Sequence, residues 1–332
     1  MTKFTAVAAA NIALIKYWGM RDTEHTLPVN ASISMTLSQC VSRCTIETKS
    51  GGADEVLYQQ MDGRLLSASP EFADKVRSHL DRLRNEAKVR TPMRVATTNN
   101  FPTGAGIASS ASGFAALTIA AAAALGLAAD TPTWSRLARL SGSGSAARSV
   151  LGGFVQWPAD AFDPEASARQ IAPPEYWPLR DLVVVVDASP KKVSSREGHR
   201  RALSSPYYPM RQQLLPDRIA RVRQALATRD FLLLAAVVEE EAIDLHLIAM
   251  SAQPPTFYWQ PATLAVLETV RRLRADGLDV CATIDAGPNV HVLCTPEHAS
   301  QASAVLAAIS GVQLLIEDGV GNGPSLTHEH LL

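Results

Sequence analysis

No feature of this 332-residue chain marks a special environment. Its formal net charge at pH 7 is −1, from 31 basic and 32 acidic residues, with Lys and Arg scattered along it. That balance excludes a surface built for broad nucleic-acid or anionic-membrane binding. Local basic groups such as Lys191–Lys192 suit one small anion better. Cysteine is scarce: Cys40, Cys44, Cys281 and Cys294. Cys40 and Cys44 form CxxxC, but no second Cys/His pair stands at zinc spacing. Buried free thiols in a reducing cytoplasm are expected. Asn11 and Lys16 break the N-terminal apolar stretch, which is too short to span a bilayer. It also lacks a charged leader with a cleavage site beyond it. What is present, 47% hydrophobic and 19% charged residues, is ordinary for a globular enzyme of two domains or one large one.

Thr5–Ala10 and Ile12–Lys16 read as strand or buried turn material, while alternation predicts strands over Ser32–Leu37 and Ser42–Lys49, with a hairpin at Asp62-Gly63. Phe72, Val76, Leu80 and Leu83 predict a helix over Pro70–Ala87. A strand at Met93–Thr97 and helices at Gly113–Leu125 and Thr133–Leu140 follow. Pro158–Pro178, rich in Pro and Asp, reads as a surface connection. The pure Val/Leu run Leu182–Asp187 reads as a buried strand. Helices over Pro216–Ala227, Phe231–His246, Pro261–Ala275 and Pro296–Ala308 alternate with strands at Cys281–Ile284, His291–Cys294 and Gln313–Ile316. This order is α+β, with two lobes dividing near residues 170–190.

The segment NNFPTGAGIASSASGFAALTIAAAAALGL, from Asn99, places a small-residue loop before an Ala-rich helix. Gly104 and Gly106 let backbone N–H groups approach a ligand. Ser109, Ser110 and Ser112 add hydroxyls and N-cap candidates. A donor-rich loop at a helix start suits phosphate, or is simply a turn before a buried helix. Three charged residues stand out elsewhere. Lys16, between Ile15 and Trp18, either snorkels to water or presents a cation to an anionic ligand. Arg148, after Ser143-Gly144-Ser145, either makes a structural ion pair or binds a carboxylate with its fork. Asp285, at a strand end before Gly287-Pro288, either caps a turn or sits beside a reacting hydroxyl. Lys191, Lys192, Ser194 and Ser195 form a loop that is either solvated or a second phosphate clamp.

Taken together, NIALIKYWGMRD, LPVNASISMTLS, NNFPTGAGIASSASGFAAL, SGSGSAARSVLGGFVQW, KKVSSREGH, PPTFYW and TIDAGPNVHV resemble, in order and over nearly the whole chain, the mevalonate phosphate and diphosphate decarboxylases of the GHMP kinase superfamily. The resemblance implies a two-lobe fold: a ribosomal protein S5 domain 2-like lobe over residues 1–180 and a ferredoxin-like lobe over 181–332. It implies an ATP- and Mg²⁺-dependent enzyme that phosphorylates the 3-hydroxyl of a phosphorylated mevalonate and releases CO₂ in the mevalonate pathway. By the same resemblance, Asn99, Gly104, Gly106, Ala108, Ser109, Ser110, Ser194 and Ser195 would hold ATP, with Ser109 or Ser110 on the metal. Asp285, Lys16 and Arg148 would be catalytic, and Asn11, Tyr17, Ser143 and Ser145 would bind substrate. A cytoplasmic homodimer with no nucleic-acid or membrane partner is expected.

Departures from the family pattern bear on the substrate. Diphosphate enzymes usually read KYWGKRD; here the residue after Gly19 is Met20. An Arg is common near the first long helix; here Ser69–Asp74 is acidic. Two absent cations would cost several kcal/mol, since charge-assisted bonds contribute roughly 1.5–3 kcal/mol each. The expected substrate is therefore 5-phosphomevalonate, with diphosphomevalonate as the alternative. A 3-kinase that stops before decarboxylation and a non-catalytic ligand binder are further alternatives. Ser141, Ala147 and Ile243-Asp244-Leu245 also depart from the pattern, and His246 is left out of the site on that account.

Overall fold

The computed structural model describes residues 2–60, 62–102, 107–128, 130–158, 165–189 and 193–332. The two runs predicted at the N-terminus are one strand, β1 (Lys3–Ile15), and the next pair is another, β4 (Ser32–Thr48). Between them lies a small ladder of β2 (Met20–Asp22) and β3 (Leu27–Pro28). Both long strands stay paired through register shifts between Ala9 and Asn11 and between Ala13 and Ile15, which the alternation pattern alone reads as breaks. β5 (Glu55–Gln59) and β6 (Leu65–Ser67) form the expected hairpin, and Gly63 supplies the positive φ of its turn. α1 spans Pro70–Ala87 as expected, capped by Ser69, whose hydroxyl accepts from the Phe72 N–H. β7 (Met93–Asn99) runs parallel to β5.

α2 (Ser109–Leu125) begins four residues before the expected Gly113. It is buried nearly all round against β1 and β4, and that packing favours helix over the local loop preference of Gly and Ser. α3 (Thr131–Arg139) is followed by a 3₁₀ turn, Gly144–Ala147. β8 (Phe154–Trp157) pairs with β4 and with β9 (Arg169–Ala172). β9 lies inside the stretch expected to be only a surface connection.

A second, four-stranded antiparallel sheet has the order β11-β12-β10-β13. Its strands are β10 (Arg180–Val185), β11 (Val280–Thr283), β12 (Val290–Cys294) and β13 (Leu314–Gly319). The helices around them are α4 (Ser195–Ala202), α5 (Tyr208–Thr228), α6 (Phe231–Ser251), α7 (Pro261–Ala275) and α8 (Pro296–Ala307). α5 starts eight residues before the expected Pro216, which lies inside it. The final strand, β14 (Ser325–Thr327), leaves the second half and pairs with β1 in the first sheet. One core cluster spans both halves, joining Ile12, Leu14 and Ile33 to Val183, Leu234 and Leu293. All four cysteines are buried free thiols. No described helix is long and apolar enough to cross a membrane.

Candidate active site

β1 ends at Ile15, and the next side chain turns inward. Lys16 is 1% exposed. Its ammonium donates to Asp285 Oδ1 at 2.7 Å, to Thr283 Oγ1 at 2.7 Å and to the Ala13 carbonyl at 2.8 Å. All three N–H groups are thereby used, which makes Lys16 the partner of Asp285 rather than a snorkelling lysine.

Asp285 follows β11 in the turn to β12. Asn289 pins this turn: its Oδ1 accepts from the Val186 and Asp187 N–H groups, and its Nδ2 donates to the Asp187 carbonyl. The Asp285 side chain keeps 24% exposure, on the cleft side. Burial pushes its carboxyl up, but the Lys16 ammonium, helped by His291 and Arg148, holds its pKa below the ordinary carboxylate value. Burial lowers Lys16 in turn, opposed by Asp285 and Glu241.

Arg148 follows the 3₁₀ turn and is 2% exposed. Its guanidinium donates to Asn11 Oδ1 at 3.0 and 3.2 Å, to Ser34 Oγ at 3.0 Å and to Ser32 Oγ at 2.5 Å. Every one of these partners is neutral. Burial lowers its pKa to about 10, with Asp285 and Tyr17 opposing, so it is cationic at neutral pH. A buried cation held by neutral oxygens and edging a cleft is arranged for an incoming carboxylate.

The remaining expected residues distribute unevenly. Asn11 donates to Ser149 Oγ at 2.8 Å and to the Ser145 carbonyl at 3.2 Å, fixing the loop that carries Ser143 and Ser145. The Tyr17 hydroxyl is buried without a partner, and its ring meets Trp157 edge-on at 5.3 Å. A Cβ on Gly144 would lie 2.6 Å from that ring, so the loop can approach Tyr17 only as glycine. Ser143 Oγ is 3.3 Å from both Ser145 Oγ and Ser110 Oγ, which brings the start of α2 to this loop.

Ser109 and Ser110 are the first helical residues, not N-caps. Ala108 precedes them at φ 48°, among the described residues no side chain caps α2, and its first turn has no acidic residue. Ser112 is buried and bonds Ser42 Oγ at 2.7 Å. Gly104, Gly106, Lys191 and Lys192 lie outside the described residues. Asn99 ends β7, accepts from the Ser42 hydroxyl at 2.5 Å and is not among the residues lining the cleft. Ser194 and Ser195 do line it, although the Ser194 hydroxyl also caps α4 by accepting from the Glu197 N–H.

These groups face one cleft of about 600 Å³. Three residues there or beneath it were not expected. Lys75 and Arg196 both line the cleft. Lys75 pairs with Glu71 at 2.7 Å, so a cation directly follows the acidic segment Ser69–Asp74. The helix predicted over Pro70–Ala87 already implied that pairing at i,i+4 spacing. His246 lies buried against Tyr258 and Trp259, near both charges of the central pair. Burial, with Lys16 adding, lowers it to about 3, so it is neutral. Among the described residues no group of three His, Cys, Asp or Glu could hold a metal ion. Ser109 and Ser110 line the cleft with neutral hydroxyls.

Residues 8–168 match the diphosphomevalonate decarboxylase-like N-terminal domain, and residues 181–324 match the mevalonate 5-diphosphate decarboxylase C-terminal domain. Diphosphomevalonate decarboxylase mvd1 of Aspergillus fumigatus is 36% identical, covering 92% of this chain and 80% of its own. The human diphosphomevalonate decarboxylase is 36% identical, covering 86% and 75%. Among solved structures, mevalonate diphosphate decarboxylase from Staphylococcus aureus superposes with TM-score 0.90 at 30% identity, over 98% of both chains. MDDEF in complex with MVAPP, AMPPCP and magnesium superposes with TM-score 0.89 at 35% identity, again over 98% of both.

Proposed function

The chain belongs to the diphosphomevalonate decarboxylase family, and from that premise we propose that it decarboxylates diphosphomevalonate to isopentenyl diphosphate, using ATP and Mg²⁺. The observation that carries this reading is the Lys16–Asp285 pair at 2.7 Å sharing a cleft with Arg148, whose guanidinium has only neutral partners.

ATP with Mg²⁺ supplies the phosphoryl group that turns a tertiary 3-hydroxyl into a leaving group. The residues fit that use. The uncapped start of α2 offers N–H groups and the Ser109 and Ser110 hydroxyls, with no carboxylate in the first turn to repel a phosphate. Asp285, kept ionised by Lys16, takes or orients the 3-hydroxyl proton. Arg148 holds the substrate carboxylate, and Asn11 keeps Arg148 and the Ser145 loop in register. The Tyr17 hydroxyl provides an unused polar atom for the substrate. When the leaving group departs, positive charge develops at the tertiary carbon, and the Asp285 carboxylate beside it lowers that barrier. Loss of CO₂ then supplies the electron pair of the new double bond.

The expected preference for 5-phosphomevalonate finds no support over the diphosphate. The named relatives are diphosphate enzymes, and the cation count changes once Lys75 and Arg196 are included. The reading also includes lobes of 1–180 and 181–332 meeting at the cleft, with the last strand crossing back, and a cytoplasmic homodimer. A decarboxylation assay with both substrates tests the choice: a kcat/KM at least about tenfold higher for the diphosphate is expected. Preference for the monophosphate would reverse it, and phosphorylated product without CO₂ would mark a 3-kinase.

A further inference from the structure

One buried charge cluster has no part in the chemistry described above. Arg211, on α5, and Glu241, on α6, form an ion pair at 3.0 Å with both side chains fully removed from solvent. A buried pair of this kind adds little net stability over an apolar pair of equal size. Its contacts point to another use. The Lys16 N–H donates to Glu241 Oε2 at 3.0 Å, and the Lys16 carbonyl accepts from Arg211 Nη2 at 3.1 Å. Arg211 Nη2 also donates to Glu241 Oε2 at 3.1 Å, closing a ring around one peptide segment. Asn30 Nδ2 adds a second donor to the same carbonyl at 2.9 Å.

Lys16 lies just past the last residue of β1, where no strand ladder fixes its backbone. Its ammonium nevertheless meets three acceptors at once. Because its four-carbon stem is flexible, where the ammonium settles depends on how firmly the backbone at its base is held. We propose that the Arg211–Glu241 pair is a positioning device for the reaction: it clamps both peptide groups of Lys16 so that the ammonium holds the Asp285 carboxylate in place. Neighbouring charges complete a neutral set. Arg218 Nη1 donates to Glu241 Oε1 at 2.8 Å and to Asp244 Oδ2 at 2.6 Å, and Arg211 Nη1 donates to Asp244 Oδ2 at 2.7 Å. Arg218 touches the carboxylates but makes no hydrogen bond to Lys16, which separates charge balance from clamping.

This proposal rests on the decarboxylase reading, so wild-type CO₂ release is measured first. The Arg211→Met/Glu241→Leu double variant removes both clamps and both charges at similar volume, leaving Arg218 paired with Asp244. Its thermal midpoint should fall only modestly, because the buried Lys16 N–H loses its acceptor. Its kcat should fall at least about tenfold with KM for both substrates within threefold, since small misplacements near reacting atoms are costly. The acid limb of kcat should move up by about one pH unit as Asp285 loses its cation. Arg211→Lys keeps the charge but loses the fork, and should show a smaller change in the same direction. Arg218→Met should lower the thermal midpoint without moving the acid limb. Wild-type kcat and an unshifted acid limb in either clamp variant overturn the proposal. If wild type released no CO₂, the decarboxylase reading would fail instead. The clamp would then be judged from crystal structures, where retention of the 2.7 Å Lys16–Asp285 contact in the double variant refutes it.

Discussion

Asp285 and Lys16 are 269 positions apart and form one ion pair at 2.7 Å. Replacing Asp285 with Asn keeps the shape and removes the charge. ATP-dependent CO₂ release should fall by a factor of at least about 100, as for loss of a positioned base, measured as product formation at saturating substrate. Two buried histidines make a separate prediction about stability. Burial lowers His79 and His246 to about 3 each, with Arg82 adding for His79 and Lys16 for His246. Both are neutral in the folded protein while the unfolded chain protonates them near 6.5. The folded state therefore binds fewer protons between these values, and stability falls as pH drops from about 6.5 towards 3. The slope reaches about 1.4 kcal/mol per pH unit for each histidine. Chemical denaturation at pH 7, 6, 5 and 4 measures it, and His79→Gln should remove one share. The outlying charged residues Lys16, Arg148 and Asp285 stand out in the sequence because each interrupts an apolar or small-residue context. Arg211, Glu241 and His246 do not, because each sits within an ordinary helical pattern.

Elements were legible where periodicity was strong and unopposed. α1 and α7 match expectation at both ends, each with Pro at its start. α4, with the sequence SREGHRRA, carries no apolar repeat and could not be read. Its place is set by Gly198, where a Cβ would lie 2.4 Å from Trp18. α5 runs through Pro216 because Tyr208 and Arg211 on one side of it and Val222 on the other are all buried, outweighing the lost backbone bond. The loop at Gly144 offers a direct test of the proposed substrate site. Gly144→Ala would force the Tyr17 ring away from its contact. Substrate KM should rise about tenfold, with a smaller change in KM for ATP, measured by steady-state kinetics.

At the level of the whole molecule, the second half is tied to the first through Asp318 on β13. Its Oδ1 accepts from the Ser38 N–H at 2.7 Å, the Ser38 hydroxyl at 2.8 Å and the Gln39 N–H at 2.8 Å, while Oδ2 accepts from the Cys40 N–H at 2.9 Å. Asp318→Ala leaves the buried Cys40 N–H without its acceptor, while the donors of the exposed Ser38 and Gln39 can turn to water. The cost should be about 1–3 kcal/mol, read as a shift of the denaturation midpoint, with KM unchanged in the folded fraction.

The amino-acid order alone fixed the α+β pattern, the family and the charged residues placed in unusual company, because local periodicity and motif wording need no distant partner. Tertiary structure decided which of those residues meet. It spent all three ammonium hydrogens of Lys16 on fixed acceptors and left Arg148 with only neutral ones. It placed Lys75 and Arg196 on the cleft. It also handed the Lys16 backbone to two helices more than 190 positions away in the chain. These outcomes depend on burial and on contacts between distant segments, which charge and spacing along a chain do not encode.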